Sequence, residues 1–271
     1  MSSVAAPAAN DQIRVTPIRV IRSEWTKLRS VRSTMWSLFA AGLFVIAMGI
    51  IVCVVFEARW PHLALHDRLD FKPLRANLAG VNIAQLAFGV LGVMTITGEY
   101  ATGMIRSTFA AVPTRLPVLW SKAFVFAAVA LVVSLPAVFI VFFAGQGILS
   151  GHHINIALSH PGVLRALIGA ALYMTVFGLF GLGIGAITRS TPGGISALVA
   201  IMFVIPPLVG ILPSSITNVV DKFLPSNAGG ALWTINPDPH TLSPWVGFAV
   251  FCAWTALSLV IAAILLRARD T

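Results

Sequence analysis

Charge is what this sequence has least of. Only 10% of its 271 residues are Asp, Glu, Lys or Arg, where a soluble domain carries about 25%. Hydrophobic residues make up 58% and mean hydropathy is +0.91, which excludes an ordinary soluble domain. Cysteine is scarce too. Cys53 and Cys252 both fall in apolar runs, which reads as small buried side chains and leaves no disulfide framework or thiolate metal site. There is no G-x-x-x-x-G-K-[ST] loop, and no Ser, His and carboxylate set is placed for nucleophilic catalysis. The chain therefore reads as a non-enzyme with no catalytic residues. The first 35 residues also lack the short apolar core and cleavage site of a cleaved signal peptide.

What is present is a set of long apolar runs: Trp36–Phe56, Leu78–Thr97, Ala123–Gly147, Ala166–Thr188, Gly194–Leu212 and Trp245–Leu266. Crossing the hydrocarbon core takes about 20 helical residues, and none of the six contains Asp, Glu, Lys or Arg. Because the runs are continuously apolar rather than alternating, they predict helices and not a barrel. The fold class expected is an all-α integral membrane protein with six transmembrane helices. Residues 1–12 are expected to be a disordered tail, 13–35 an amphipathic interface helix, and 36–271 a single membrane domain.

Cation placement orients the chain. With both termini in the cytoplasm, Arg14, Arg19, Arg22, Lys27, Arg29, Arg32, Arg106, Arg115, Lys122, Arg189, Arg267 and Arg269 lie inside, 12 in all. The 6 on the outer side are Arg59, Arg68, Lys72, Arg75, Arg165 and Lys222. A multi-pass protein of the cytoplasmic membrane follows. The net charge of +9 then needs anionic lipid head groups as partner and no nucleic acid.

The interface helix has a start signal, with Thr16 as N-cap, Pro17 at the first helical position, and Val15 and Val20 as a hydrophobic staple. Ile18, Ile21, Trp25 and Leu28 then recur every three or four residues, with Arg19, Arg22, Lys27 and Arg29 on other faces. That pattern lies along a membrane surface or docks a cytoplasmic partner.

The stretch from Thr97 to Lys122 organises the rest. It holds Glu99, Arg106, Arg115 and Lys122 between two spans. Tyr100 to Val112 can form a short helix with Ala101, Ile105, Phe109 and Val112 on one side, stopped by Pro113. On the second span, Asn82, Gln85, Gly89 and Gly92 share a stripe, which either packs against another helix or lines a cavity. Pro136 predicts a kink in the third span. Gly178, Gly181 and Gly185 predict close packing of the fourth, and Pro206-Pro207 a bend or break in the fifth. Between spans five and six, Ser214 or Ser215 can cap a short helix whose face is Ile216, Val219, Val220 and Phe223, a re-entrant or surface-lying element. The loop histidines His62, His66, His152, His153 and His160 have no clustered metal-ligand spacing.

Six spans without an ionisable residue offer no proton or sodium relay, so energy for any transport would arrive from outside the chain. The runs RSEWTKLRSVRSTMWSL (Arg22 to Leu38), GEYATGMIRSTFAAVPTRLPVLWSK (Gly98 to Lys122) and GLGIGAITRSTPGGISALVAI (Gly181 to Ile201) resemble type-2 ABC exporter permeases, with a flavour of the six-span subunits of actinobacterial gene clusters. The resemblance implies a membrane subunit paired with a second permease chain, as homodimer or heterodimer, and with two separate ABC ATPase subunits that bind ATP and Mg; no cofactor sits on this chain. It implies that Trp25, Lys27 and Arg29 belong to the interface helix, and that Glu99, Tyr100, Met104, Ile105 and Arg106 couple to the ATPase. Asn82 and Gln85 would line a pathway between spans two and five, and Ile216 to Phe223 would form an outer lid. Glu99 is expected to contact the ATPase directly. An amphipathic or hydrophobic substrate is expected. The competing readings are an integral-membrane enzyme using the outer histidines and a scaffold without an ATPase.

Overall fold

A computed structural model describes residues 16–30, 32–235 and 241–268 of the chain. The expected disordered tail, Val15 and Arg269 lie outside the described residues. Among those described there are helices and no strand. They are α1 (Pro17–Ser30), α2 (Arg32–Arg59), α3 (Leu65–Leu69), α4 (Pro73–Asn77), α5 (Val81–Ala101), α6 (Met104–Ala111), α7 (Leu116–Leu149), α8 (Val163–Thr188), α9 (Thr191–Val199), α10 (Ile205–Gly210), α11 (Ser214–Val220), α12 (Pro225–Gly230) and α13 (Pro244–Ala268). Six helical stretches are long and apolar enough to cross a membrane: Thr34–His62, Pro73–Ala101, Leu116–His152, Val163–Thr188, Thr191–Gly210 and Pro244–Ala268. The chain is a multi-pass membrane protein.

The ends of these stretches differ from the sequence reading in one informative way. The second runs four residues past Thr97 and takes in Glu99, and the third begins at Leu116 and takes in Lys122. At 1.5 Å per residue, the 34 residues of α7 make a rod about 50 Å long, against a hydrocarbon core of about 30 Å. The helix is thus longer than the apolar layer is thick, and a lysine in its second turn need not lie in hydrocarbon.

α8 is the axis of the bundle, with 78% of its most apolar stretch buried, against α5, α7, α13 and α9. Apolar contact alone gives helices no advantage over lipid, so close approach must supply the attraction. Glycine permits it. A Cβ on Gly92 would stand 1.9 Å from the Gly178 carbonyl oxygen, and one on Gly181 would stand 2.2 Å from that of Gly89. The stripes of the second and fourth spans thus interlock backbone to backbone. This resolves half of the open question about α5: its glycines pack, while its amides do something else.

The fifth span stays one helical stretch, Thr191–Gly210, and Pro206-Pro207 disturb its hydrogen bonding rather than break it. The helix passes from α9 through a π-helical turn at Ala200–Val204 into α10, because neither proline can donate a backbone hydrogen bond to the preceding turn. α7 remains a single helix through Pro136. At the end of the bundle remote from α1, α4 wedges between α2 and α7. Gly49 and Gly145 make room there for the backbone and side chain of Asn77.

Candidate functional site

Two places gather polar chemistry, one at each end of the bundle. At the α1 end four charged residues meet. Lys122 Nζ donates to Glu24 Oε2 at 2.6 Å and to Glu99 Oε1 at 2.8 Å. Lys27 Nζ donates to Glu24 Oε1 at 2.7 Å, Glu99 Oε1 at 3.3 Å and Thr108 Oγ1 at 3.1 Å. The side chains of Glu24, Glu99 and Lys122 are 3%, 6% and 5% exposed. Two positive and two negative charges balance, which is what allows them to be buried. Burial pulls the Lys27 ammonium down, but the hydrogen bond and charge of Glu24, then those of Glu99, outweigh it and leave the group above its ordinary 10.5.

The cluster ties four elements together: α1 through Glu24 and Lys27, α5 through Glu99, α6 through Thr108 and α7 through Lys122. A cavity of about 240 Å³ adjoins it, lined also by Leu28, Met94, Thr95 and Met104.

The sequence reading placed Glu99 and the start of α6 differently. Glu99, expected as a contact for a partner, is enclosed at the end of α5. The helix expected from Tyr100 begins at Met104, because Gly103 takes φ +71° and breaks the backbone between α5 and α6, a conformation glycine adopts at little cost. Ile105 and Phe109 are buried as the periodicity required, while Met104 and Arg106 are exposed. Tyr100 is half-buried under the Arg189 guanidinium, 5.4 Å from the ring centroid.

On α1 the face turned inward is Val20, Glu24 and Leu28. Ile18 and Trp25 point outward, 77% and 43% exposed, and Arg29 is exposed. Glu24 was missed. Its signal was available: apart from Asp11 in the tail and Asp270 near the end, Glu24 and Glu99 are the acids among the twelve cations assigned to one side. Two isolated carboxylates in so basic a setting will find ammonium partners.

Arg115 and Arg189 complete this end. Both have left-handed or otherwise positive φ, 53° and 54°, and both reach the end of α13, at the carbonyls of Leu266 (3.0 Å) and Leu265 (3.4 Å). Guanidinium groups near that end of the helix complement its dipole.

At the opposite end lies a cavity of about 1140 Å³. Asn82 and Gln85 both line it, so the two amides predicted together are together. Gln85 is buried; its Nε2 donates to Asn82 O at 2.7 Å and its Oε1 accepts from the Tyr173 hydroxyl. The other walls come from the π-turn of the fifth span (Met202, Phe203), from Pro206, and from the segment between spans five and six. The described part of that segment includes two short helices, α11 and α12. Val219, Val220 and Phe223 are exposed, while the side chains of Ser214, Ser215 and Ile216 lie outside the described residues. Arg165 holds the segment to α8 by donating to the carbonyls of Leu232 (2.9 Å) and Thr234 (3.2 Å).

Of the loop histidines, His160 borders the cavity. His152 Nε2 stands 3.6 Å from Glu57 Oε1, and His66 Nε2 stands 3.3 Å from Asp70 Oδ2. Among the described residues no three His, Cys, Asp or Glu converge as metal ligands. In comparisons with known proteins, no family model matches the chain and no curated protein matches it.

Proposed function

We propose that this chain is the membrane-spanning subunit of an ABC exporter, moving an amphipathic substrate across the cytoplasmic membrane with ATP hydrolysed on separate partner subunits. The observation that carries this reading is the buried ion cluster. α1 and α6 lie at one end of the bundle, and their side chains share ammonium groups with the ends of the second and third spans. A force applied to α6 would pass through Thr108, Lys27 and Glu99 into α5, whose far end carries Asn82 and Gln85 at the large cavity. α5 is interlocked with α8 along its glycines, so it would move as a rod with its neighbours rather than bend alone.

In this reading α1 and α6 face the cytoplasm, and both termini lie there with the 12-to-6 excess of cations. Exposed Met104, Arg106, Trp25 and Arg29 form the surface offered to the ATPase or to lipid. Glu99 and Lys27 act one layer in, as positioning residues that hold the receiving helices to the spans. The fifth span is buried over only 17% of its most apolar stretch and offers the face for a second permease chain, identical or related. ATP and Mg would be bound by the ATPase, and this chain would hydrolyse nothing.

The test is affinity purification of the detergent-solubilised chain from its native host beside the Arg106→Glu and Met104→Ala forms. Both positions are exposed, and neither side chain is one of the hydrogen-bonded members of the buried cluster. An ATPase subunit that accompanies the parent chain and falls about tenfold or more with Arg106→Glu is expected. Absence of any ATPase from all three preparations would remove the energy source and overturn the reading.

A further inference from the structure

The large cavity is built for a particular kind of ligand. Its apolar walls are Phe71, Met202, Phe203 and Pro206, and its rim carries Lys72, Arg75 and Lys222. Lys72 and Arg75 are exposed, and Lys222 Nζ lies over the Phe223 ring at 5.4 Å. Among the described residues none of the three side chains makes a hydrogen bond or an ion pair. Only one carboxylate among those residues lines the cavity, Asp221, and its Oδ1 already accepts from Asn227 at 2.8 Å. Trp233 Nε1, a donor with no acceptor, borders the same space. Among the described residues the cavity is thus lined by three cations against one carboxylate, an excess of positive charge that favours an acceptor-rich anion.

The placement of these cations strengthens the point. Half of the six cations assigned to the outer side line this one cavity. Of the rest, Arg165 is committed to the Leu232 and Thr234 carbonyls, and Arg68 to Pro61 O and the Trp60 ring. Cations are disfavoured on that side of a membrane protein, and a local cluster of them beside an apolar wall is accounted for by a ligand that needs both.

We infer that the cavity binds an anionic amphiphile, with its phosphate, carboxylate or sulfate head at Lys72, Arg75 and Lys222 and its apolar body along Phe71, Met202 and Phe203. This deepens the export reading by naming a substrate class, and rests on it only for the direction in which the ligand travels. The head could belong to a membrane lipid or to a soluble amphiphile; the chemistry is the same.

The experiment is calorimetric titration of the chain in phosphatidylcholine nanodiscs with monododecyl phosphate, corrected with empty nanodiscs, beside dodecyltrimethylammonium. Saturable binding of the phosphate, weakened about tenfold in the Lys72→Gln/Arg75→Gln/Lys222→Gln variant and weakened by added salt, is the expected result. A second variant, Phe203→Ala, should weaken both head-group classes alike. Equal binding of the ammonium compound, or undiminished phosphate binding by a triple variant that keeps the parent's melting temperature, would overturn the inference. Phosphatidylglycerol in the nanodisc competes if the natural ligand is a membrane lipid and leaves the titration unchanged if it is soluble; either outcome supports an anionic head. Phosphate binding without ATPase recovery would sink the export reading and leave this site standing, while ATPase recovery without phosphate binding would do the reverse.

Discussion

Removing the ammonium of Lys122 should be among the most damaging single changes in the molecule. Lys122 Nζ bridges Glu24 Oε2 and Glu99 Oε1, and all three side chains are more than nine-tenths buried. Lys122→Met keeps most of the apolar stem, so the loss isolates the charge. It leaves Glu24 and Glu99 facing Lys27 alone, a buried site with one uncompensated negative charge. Breaking a buried pair in this way costs about 3–5 kcal/mol. At about 2–4 °C per kcal/mol for a chain of comparable size, the melting midpoint should fall by roughly 6–20 °C.

The sharper test is the compensated double variant. Lys122→Met with Glu24→Gln restores neutrality, leaving the Lys27–Glu99 pair intact, and should recover most of the loss; distant, independent sites would instead add. Intrinsic-fluorescence melting of the purified protein in one detergent measures all four forms. A fall of less than about 2 °C for Lys122→Met would show that the cluster contributes less than roughly 1 kcal/mol. A double variant less stable than either single one would show that the four charges do not act as a unit.

Two glycines of the same helix should respond oppositely to alanine. Gly92→Ala puts a methyl group 1.9 Å from the Gly178 carbonyl oxygen and should destabilise by about 1–3 kcal/mol, whereas Gly98→Ala meets nothing within 4 Å and should stabilise by about 0.5–1 kcal/mol; melting midpoints that move in the same direction would contradict the interlocked packing of α5 and α8. The stability supplied by Lys27 has a definite sign with pH. Its pKa is raised from 10.5, so its contribution is complete below 10.5 and is lost as pH rises through the higher folded value; a melting series carried above that pH should fall less steeply in Lys27→Met than in the parent chain.

What could be read from the sequence and what could not divide along one physical line. Features that depend on a residue type being intolerable somewhere were legible. Six charge-free runs became six membrane-long helices, Pro17 opened α1, a π-helical turn fell just ahead of the paired prolines of the fifth span, and the glycines of spans two and four met. Each follows from a local prohibition: a bare charge in hydrocarbon, a missing N–H, a Cβ with no room. Features that depend on mutual compensation were not legible. Ending the second span at Thr97 treated Glu99 as a boundary, because a lone carboxylate cannot be buried. Opposite Lys122, which lies 23 residues away in sequence, it can. The same compensation decided which side of α1 turned inward. Apolar spacing favoured Ile18 and Trp25, but two ammonium groups recruit Glu24, because leaving a buried ammonium without its carboxylate costs more than one further apolar side chain returns in a setting where lipid accepts Ile18 and Trp25 as readily as protein does. In a membrane protein the apolar pattern therefore says where the chain crosses, and the few charges it retains say which helices are tied to one another. For this chain those charges link α1 and α6 to the spans at one end, and among the described residues three side chains stand without an ion pair around a cavity at the other. That contrast, four charges spent on each other and three left open, is the physical basis for reading the first end as the one that receives force and the second as the one that receives a ligand.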